Sequence, residues 1–301
     1  MSRIEKRLWI IWFSIFLLAL GSSFGFSAIH KDAFPNAAVT RLRHALRPDR
    51  EARKLERAAS VEGIETIRIQ TTSTHIRVTR NEAMNDLAVT LEGRFSKSAL
   101  SPLDLEKQSS VLQIRVDDGL NRMDWLSAFD EESRNSELSI VLPRQFSGHL
   151  MIETVNGNTS LEGLSLGELN WSSVSGELQS QRGEIHVARL KSISGDLDFD
   201  GASLEFYLNL TSADAHVKLL GLEHAVSPKI DAQTVSGKIE LAVSAQASVR
   251  ISISSFTGVA SSSLALKKSM QSSGALEGQI GEGRGELRLR SVSGSVRLTT
   301  I

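Results

Sequence analysis

A short tetrapeptide that ends in glycine recurs through the second half of this chain. "TVNG" ends at Gly157, "SVSG" at Gly176 and "SISG" at Gly195, so these glycines lie nineteen residues apart. The next step of nineteen reaches Asp214, where an Asp stands in place of glycine, and the spacing then loosens to Gly237. A repeat of nearly fixed length is a strong constraint, because every unit must build the same supersecondary structure.

Later units vary in length and keep the glycine, at Gly258, less regularly at Gly274, and at Gly294 in a final "SVSG". In the early units a second glycine follows six or seven residues after the first position, at Gly163, Gly183, Gly201 and Gly221. Two glycines per unit predict two turns per unit. We expect them to supply the positive φ that many turns require.

The segments between the glycines have the period of a β-strand. "ELQS", "DLDF" and "AHVKLL" place aliphatic residues on one side and small or charged residues on the other. Strands at a period near twenty residues predict an all-β, β-solenoid-like stack, in which each rung buries its aliphatic row against the next. An antiparallel β-sandwich is the alternative.

In such a stack the tetrapeptide is a corner. Its Ser, Thr or Asn residues are expected to bond to the backbone at the bend. Its branched residues are expected to form an inward ladder: Val155, Val174, Ile193, Val235 and Val292. A functional alternative is that the stacked hydroxyls form an adhesive or sugar-binding face.

Residues 61–145 alternate in the same way before the repeats begin at 146. "ETIRIQ", "HIRVTR", "DLAVTLEG", "VLQIRVDD" and "ELSIVLP" predict half-buried strands, and their short connections predict antiparallel neighbours. An insertion at 119–136 interrupts them. Its Trp125, Leu126 and Phe129 predict one helix capping the sheet, with a partner-binding loop as the alternative.

The first 29 residues resemble a targeting segment. A basic start, "MSRIEKR", precedes the apolar run "LWIIWFSIFLLAL", and Leu8 to Ile29 gives 22 mostly apolar residues, enough to cross a bilayer. Both a signal anchor and a cleaved signal peptide fit. Either predicts a cell-envelope protein, anchored in the inner membrane with a periplasmic or other extracytoplasmic domain, or secreted to the periplasm. Basic residues lie on both sides of the run, so charge bias does not set the topology.

Charge divides the chain into two parts. Residues 1–60 hold eleven Lys or Arg against five Asp or Glu, a net of +6, whereas the rest holds 23 against 30, a net of −7. Residues 30–60 are therefore expected to be a basic, partly helical linker, close to anionic lipid or simply solvated. The acidic main part excludes a nucleic-acid role.

Few residues suggest a metal site. The chain has no cysteine, which removes thiolate sites. Asp196, Asp198 and Asp200, followed by Gly201, resemble the start of a calcium loop, but the twelfth position is Tyr207 where the loop needs Glu. A weak cation site and a solvated strand face are the two interpretations.

No catalytic, cofactor-binding or metal-binding residue is assigned. The only carboxylates that merit a test for polysaccharide cleavage are Glu184, Asp196 and Asp198. The histidines show no metal-ligand spacing, and His186 and His216 are expected to be ordinary strand residues. No cofactor is expected.

The combination of an apolar start, "VEGIETIRIQTTSTHIRVTR", "ELSIVLP" and iterated "SVSGEL", "SISGDL" and "TVSGKI" resembles the bacterial putative-adhesin family, over residues 61–301. This resemblance implies a non-enzymatic envelope protein with a β-strand-repeat domain. Some relatives are tied to envelope-stress signalling, and the family offers no catalytic residues to carry over.

The expected function is therefore that of a non-enzymatic cell-envelope surface or interaction protein, adhesive or scaffolding. Alternatives are a ligand- or partner-binding accessory of envelope-stress sensing and, third, a polysaccharide-active β-helix enzyme. The expected partners are the membrane, through residues 8–29, and an envelope protein or glycan. The oligomeric state does not follow from the sequence.

Overall fold

The described part of the chain consists of β-strands joined by turns. The computed structural model describes residues 50–96, 101–117 and 136–301, except 223, 226 and 273. The segment 8–29, residues 30–49 of the expected linker and nearly all of the 119–136 insertion lie outside these residues. Within the described ranges, no helix is long and apolar enough to span a membrane.

The strands, in chain order, are β1 (Arg50–Ala59), β2 (Thr66–Gln70), β3 (His75–Asn81), β4 (Leu87–Ser96), β5 (Leu103–Gln108), β6 (Val111–Val116), β7 (Glu137–Pro143), β8 (His149–Thr154), β9 (Thr159–Glu162), β10 (Ser165–Ser173), β11 (Leu178–Ser192), β12 (Leu197–Ala202), β13 (Glu205–Leu210), β14 (Ala215–Leu220), β15 (Lys229–Thr234), β16 (Ile239–Val243), β17 (Val249–Ser255), β18 (Ala260–Ser262), β19 (Lys267–Gln271), β20 (Ala275–Ile280), β21 (Gly285–Ser291) and β22 (Val296–Thr300).

Their pairings form two layers. Layer 1 runs β5-β6-β2-β8-β10-β11-β13-β15-β21-β17-β20-β19, and layer 2 runs β1-β4-β7-β3-β9-β11-β12-β14-β16-β22-β18. The first half of β11 belongs to layer 2 and its second half to layer 1, so the long strand joins them. The central strands are all parallel, which confirms the predicted β-solenoid-like stack.

We call a layer 1 strand, the corner after it and the following layer 2 strand a rung. Rung order in space departs from chain order at both ends. The β6/β7 rung lies outside the earlier β2/β3 rung, and the final β21/β22 rung lies between β15/β16 and β17/β18. Antiparallel strands cover the ends: β5 on β6, β4 and β1 on β7, and β20 and β19 beyond β17.

The core lies between the layers. Alternate residues of each strand point inward, as the pattern iBiBi of β2 shows, and the inward residues of both layers form one continuous apolar cluster. Phe199 and Phe206 pack inside it with ring centroids 5.2 Å apart. Trp171 is 1% exposed and uses its indole Nε1 to donate to Thr159 Oγ1 at 3.0 Å, so its polar atom is satisfied.

The corner glycine is required by close approach of the backbones. A Cβ at Gly176 would overlap the carbonyl oxygen of Gly157, and a Cβ at Gly195 would overlap that of Gly176. The same column continues at Gly237, Gly294 and Gly258, in the spatial order of the rungs. None of these corner glycines has a positive φ, so the expectation that φ explains them was wrong.

Positive φ belongs to two of the second glycines, Gly163 and Gly221. Gly183 and Gly201 lie within β11 and β12 and do not form separate turns. Gly274 is not a corner either, because it lies between the hairpin strands β19 and β20.

The residue that replaces glycine in the fourth repeat is Ala213, one position before the predicted Asp214. The register places Leu197 opposite Ala215, so Ala213 falls opposite Gly195 and the repeat shortens to eighteen residues. Asp214 follows the corner and uses its Oδ1 to accept the N–H of Lys238 at 2.7 Å.

Two sets of hydroxyls hold each corner, which confirms the expected bonds to the backbone. Ser194 donates both its N–H (2.9 Å) and its hydroxyl (3.1 Å) to the carbonyl of Val174 in the preceding rung. One residue before the corner, the buried Ser192 accepts the N–H of Gly195 at 3.0 Å. Equivalent hydroxyls do the same for Gly157, Gly176, Gly258 and Gly294.

The expected inward ladder of branched residues was wrong. Val155, Val235 and Val292 are 43%, 49% and 50% exposed, and Val174 and Ile193 are half-buried. The inward place belongs to the Ser or Thr before them, because that hydroxyl must reach the glycine N–H. The corner therefore turns its apolar side chain outward.

Two predictions for the first part of the domain need correction. Residues 50–59, expected in the linker, form β1, which pairs with β4 along ten residues. Residues 61–145 are not simply antiparallel, because β2, β3, β6 and β7 are parallel members of the stack. The short connection from β2 to β3 crosses between layers, and alternation alone cannot distinguish such a crossing from a hairpin.

The glycine column predicts a strong contrast between two substitutions. Gly176→Ala should lower the free energy of unfolding by about 3 kcal/mol, because the new Cβ meets a backbone carbonyl that cannot move freely. Gly183→Ala should change it by less than about 0.5 kcal/mol, because its Cβ would make only ordinary contacts. Urea unfolding of the full chain measures both, and equal stability of the two variants would contradict this account.

The corner hydroxyls predict a second contrast. Ser192→Ala should cost about 1 to 3 kcal/mol, because it leaves the buried N–H of Gly195 without an acceptor. Ser194→Ala removes an exposed hydroxyl while its N–H still reaches Val174, so about 0.5 kcal/mol is expected. The same unfolding measurement applies, and a larger loss for the Ser194 variant would rule out the buried hydroxyl as the main corner support.

Candidate functional site

Each layer carries one shallow depression on its outward face. The layer 1 depression has a volume of about 510 Å³ and crosses the strands β8, β10, β11, β13 and β15. Its outward side chains form two columns, each with one residue per strand. The first column is Met151, Asn170, Arg189, Tyr207 and Asp231, and the second is Glu153, Ser172, Lys191, Asn209 and Gln233.

The register of the parallel strands creates this arrangement. Arg189 lies directly opposite Tyr207, and Tyr207 opposite Asp231, although 18 and 24 residues separate them in the chain. The short side chains of Asn170 and Ser172 lie beside the longer ones of Arg189 and Lys191, so the surface is lower there. Beneath it lie the buried side chains of the core, including Trp171.

Part of the layer 1 depression is internally bonded. The guanidinium of Arg189 forms an ion pair with Glu168, and Asn170 donates to the same carboxylate at 2.8 Å. Arg189 also lies 5.4 Å from the ring centroid of Tyr207, within cation–π range. The hydroxyl of Tyr207 donates to Glu205 at 3.0 Å, which fixes the ring on the surface.

The other polar groups of the layer 1 depression have no such partner. Within the described ranges, the side chains of Ser172, Asn209, Asp231 and Gln233 form no hydrogen bond or ion pair. All four are at least partly exposed, and they surround the only tyrosine of the chain. Unused donors and acceptors beside an aromatic ring are available to a ligand.

The layer 2 depression, of about 410 Å³, contains Asp196 and Asp198. Its polar groups hold rungs together: Arg77 pairs with Glu137 at 2.9 Å, and Asp196 Oδ1 accepts the N–H of Asp214 at 3.0 Å. It is therefore less suited to a ligand than the layer 1 depression.

The candidate calcium loop is not assembled. Asp198 and Asp200 point outward from β12, as the alternation predicts, and Asp200 pairs with Lys218 at 3.4 Å. Nowhere in the described ranges do three or more His, Cys, Asp or Glu side chains form a group that could hold a metal ion.

The three carboxylates considered for polysaccharide cleavage do not meet. Asp196 and Asp198 line the layer 2 depression, whereas Glu184 lies where β11 enters layer 1 and lines neither depression. The hypothesis of hydroxyls as a sugar-binding ridge also loses its support, because the corner hydroxyls of Ser175, Ser194 and Ser212 already bond to carbonyls.

Of the histidines, His186 is an exposed strand residue as expected, and His216 takes part in a charge cluster on layer 2. There the carboxylate of Glu240 contacts Lys238 at 2.7 Å, His216 at 3.1 Å and Arg297 at 3.6 Å. The hydrogen bond from Lys238 is the main reason that the pKa of Glu240 lies below its usual value, and the charges of all three neighbours add to it. This cluster ties three rungs together.

Comparison with protein families matches residues 64–299 to the family described as Toastrack DUF4097. No curated protein matches the chain. Similar solved structures include a putative cell adhesion protein from Clostridium sporogenes, at 10% identity and a TM-score of 0.41, covering 83% of this chain and 100% of that one.

Two further structures are similar at the same level. A putative adhesin from Bacteroides fragilis is 12% identical with a TM-score of 0.46, covering 82% of this chain and 97% of its own. A putative lipid binding protein from Parabacteroides distasonis is 12% identical with a TM-score of 0.38, covering 82% and 96%. These similarities are too distant to support a function.

The Glu240 cluster predicts a pH-dependent difference in stability. Because its pKa is lowered on folding, Glu240 stabilises the protein above its ordinary pKa of 4.5, and this contribution is lost as the pH falls through the folded-state pKa. Glu240→Gln should therefore be less stable than the wild type near about pH 7, with the difference closing by about pH 3.

Urea unfolding across that pH range measures the effect. Glu184→Gln is the control, because that exposed carboxylate makes no ion pair within the described ranges, and its difference from the wild type should stay small throughout. A Glu240→Gln difference that does not shrink in acid would refute the assignment.

Proposed function

This chain belongs to the Toastrack DUF4097 family, and from that premise we propose that it is a non-enzymatic surface protein of the cell envelope that acts by binding a partner. The observation that carries the proposal is the layer 1 depression, where Ser172, Asn209, Asp231 and Gln233 have no partner within the described ranges. A rigid parallel stack that displays unused polar groups is suited to recognition.

The distribution of acidic groups favours binding over catalysis. Cleavage of a glycosidic bond needs two carboxylates about 5 to 10 Å apart on opposite sides of the scissile bond. The candidates Glu184 and Asp196 lie on different parts of the stack, and Asp196 is committed to a rung-to-rung bond.

The envelope location rests on the amino-terminal segment. In this proposal residues 8–29 anchor the chain in the inner membrane and residues 50–301 lie on the extracytoplasmic side. The 22 mostly apolar residues suffice to cross a bilayer. A cleaved signal would release the same domain into the periplasm, where it would act through the same surface.

Cell fractionation with protease accessibility tests the proposal. A tagged full-length chain should appear in the membrane fraction, resist protease in whole cells and be digested in spheroplasts. A soluble chain shorter by about 23 to 28 residues would identify the released form.

A double variant, Ile15→Arg with Leu18→Arg, is the control. Each arginine in the centre of the apolar segment costs about 2.5 to 3.5 kcal/mol of insertion, so this variant should remain in the cytoplasm. If the wild-type domain became accessible to protease only after lysis, the envelope function would be refuted.

A further inference from the structure

We infer that the layer 1 depression binds an extended, neutral glycan along the axis of the stack. This inference rests on the proposed function and gives its unidentified partner a chemical class. The corner hydroxyls, where sugar binding was first considered, are occupied by the backbone. The unused polar groups lie instead on the flat outward face of layer 1.

The first argument is the kind of group that is unused. A sugar hydroxyl both donates and accepts hydrogen bonds, and it is best matched by side chains of mixed character. The amides of Asn209 and Gln233 offer both functions, the carboxylate of Asp231 accepts, and Ser172 can do either. Among them, Asn209 and Gln233 are directly opposite each other on β13 and β15.

The second argument is the aromatic ring. Tyr207 lies between the two columns' unused groups, opposite Asp231 and two residues from Asn209. Its hydroxyl is held by Glu205, so little conformational freedom is lost when a ligand contacts the ring. An aromatic ring offers an apolar surface to the C–H side of a sugar while the neighbouring amides bind its hydroxyls.

The third argument is charge. The charged residues that line the depression are Glu153 and Asp231 against Arg189 and Lys191, so their net charge is zero. Nucleic acid and anionic lipid surfaces are bound by an excess of positive charge. A lining with balanced charges and free amides favours an uncharged, polyhydroxylated ligand.

The fourth argument is geometry. The column from Ser172 to Gln233 crosses four neighbouring strands, a span of about 14 Å at the usual strand spacing. Each of these strands is paired on both sides, so a peptide cannot join the sheet here as an added strand. An elongated chain that lies across the strands fits the surface.

Binding of the full-length protein, in detergent, to immobilised neutral oligosaccharides tests this inference. The probes are cellohexaose, maltohexaose, chitohexaose and the neutral polysaccharide extracted from the producing cells, with oligogalacturonate as the anionic comparison. We expect retention on at least one neutral probe and not on oligogalacturonate alone.

Matched variants locate the binding. Gln233→Ala should weaken it by about three- to tenfold and Tyr207→Ala by about tenfold, whereas Tyr207→Phe, which keeps the ring, should stay within about threefold. Gln179→Ala is the control, because Gln179 is an exposed glutamine on a central strand, but in layer 2, and is likewise without a partner in the described ranges. It should leave affinity unchanged.

Retention by no neutral probe, retention only by oligogalacturonate, or equal losses for Gln233→Ala and Gln179→Ala would each overturn the inference. Each variant is first shown to unfold at the wild-type urea midpoint, so that loss of binding is not loss of fold. Protease accessibility is measured separately. An external domain without glycan binding would overturn this inference alone, whereas a cytoplasmic domain would overturn the proposed function.

Discussion

The contact between one corner glycine and the carbonyl of the next rung sets the geometry of the whole stack. Because no Cβ fits between Gly176 and Gly157, or between Gly195 and Gly176, the corners can be superposed only in one register. That register aligns the inward residues into a continuous core and the outward residues into columns. The hydroxyls of Ser192 and Ser194 then complete each corner's hydrogen bonds, so a four-residue unit fixes both layers.

The outward columns are a consequence of the same register. Arg189, Tyr207 and Asp231 become neighbours because parallel pairing places equivalent rung positions side by side. On layer 2 the equivalent columns are largely used for stability, as in the Glu240 cluster with Lys238 and Arg297. Layer 1 leaves part of its column free, and this difference between two faces of one fold distinguishes a binding surface from a supporting one.

Much of the fold could be predicted from the glycine spacing and from alternation, and β2, β3, β4, β6 and β7 lie where alternation placed them. The corner's orientation could not. Apolar residues are usually assigned inward, but Val235 is half exposed, because the hydroxyl before it must reach a backbone N–H. The site was also missed. Asp231 reaches Tyr207 only through an irregular turn at 221–228, so no fixed spacing links them in the sequence.

The position of the last rung affects how the protein is made. β21 and β22, the final seventeen residues before or at the carboxyl terminus, lie between strands synthesised earlier, with β15 on one side and β17 on the other. A chain emerging from the ribosome or a translocon therefore cannot complete its stack in order, because an interior layer is synthesised last. Loss of the carboxyl terminus would remove a plank from the middle of the structure and leave β17 to β20 detached from the rest.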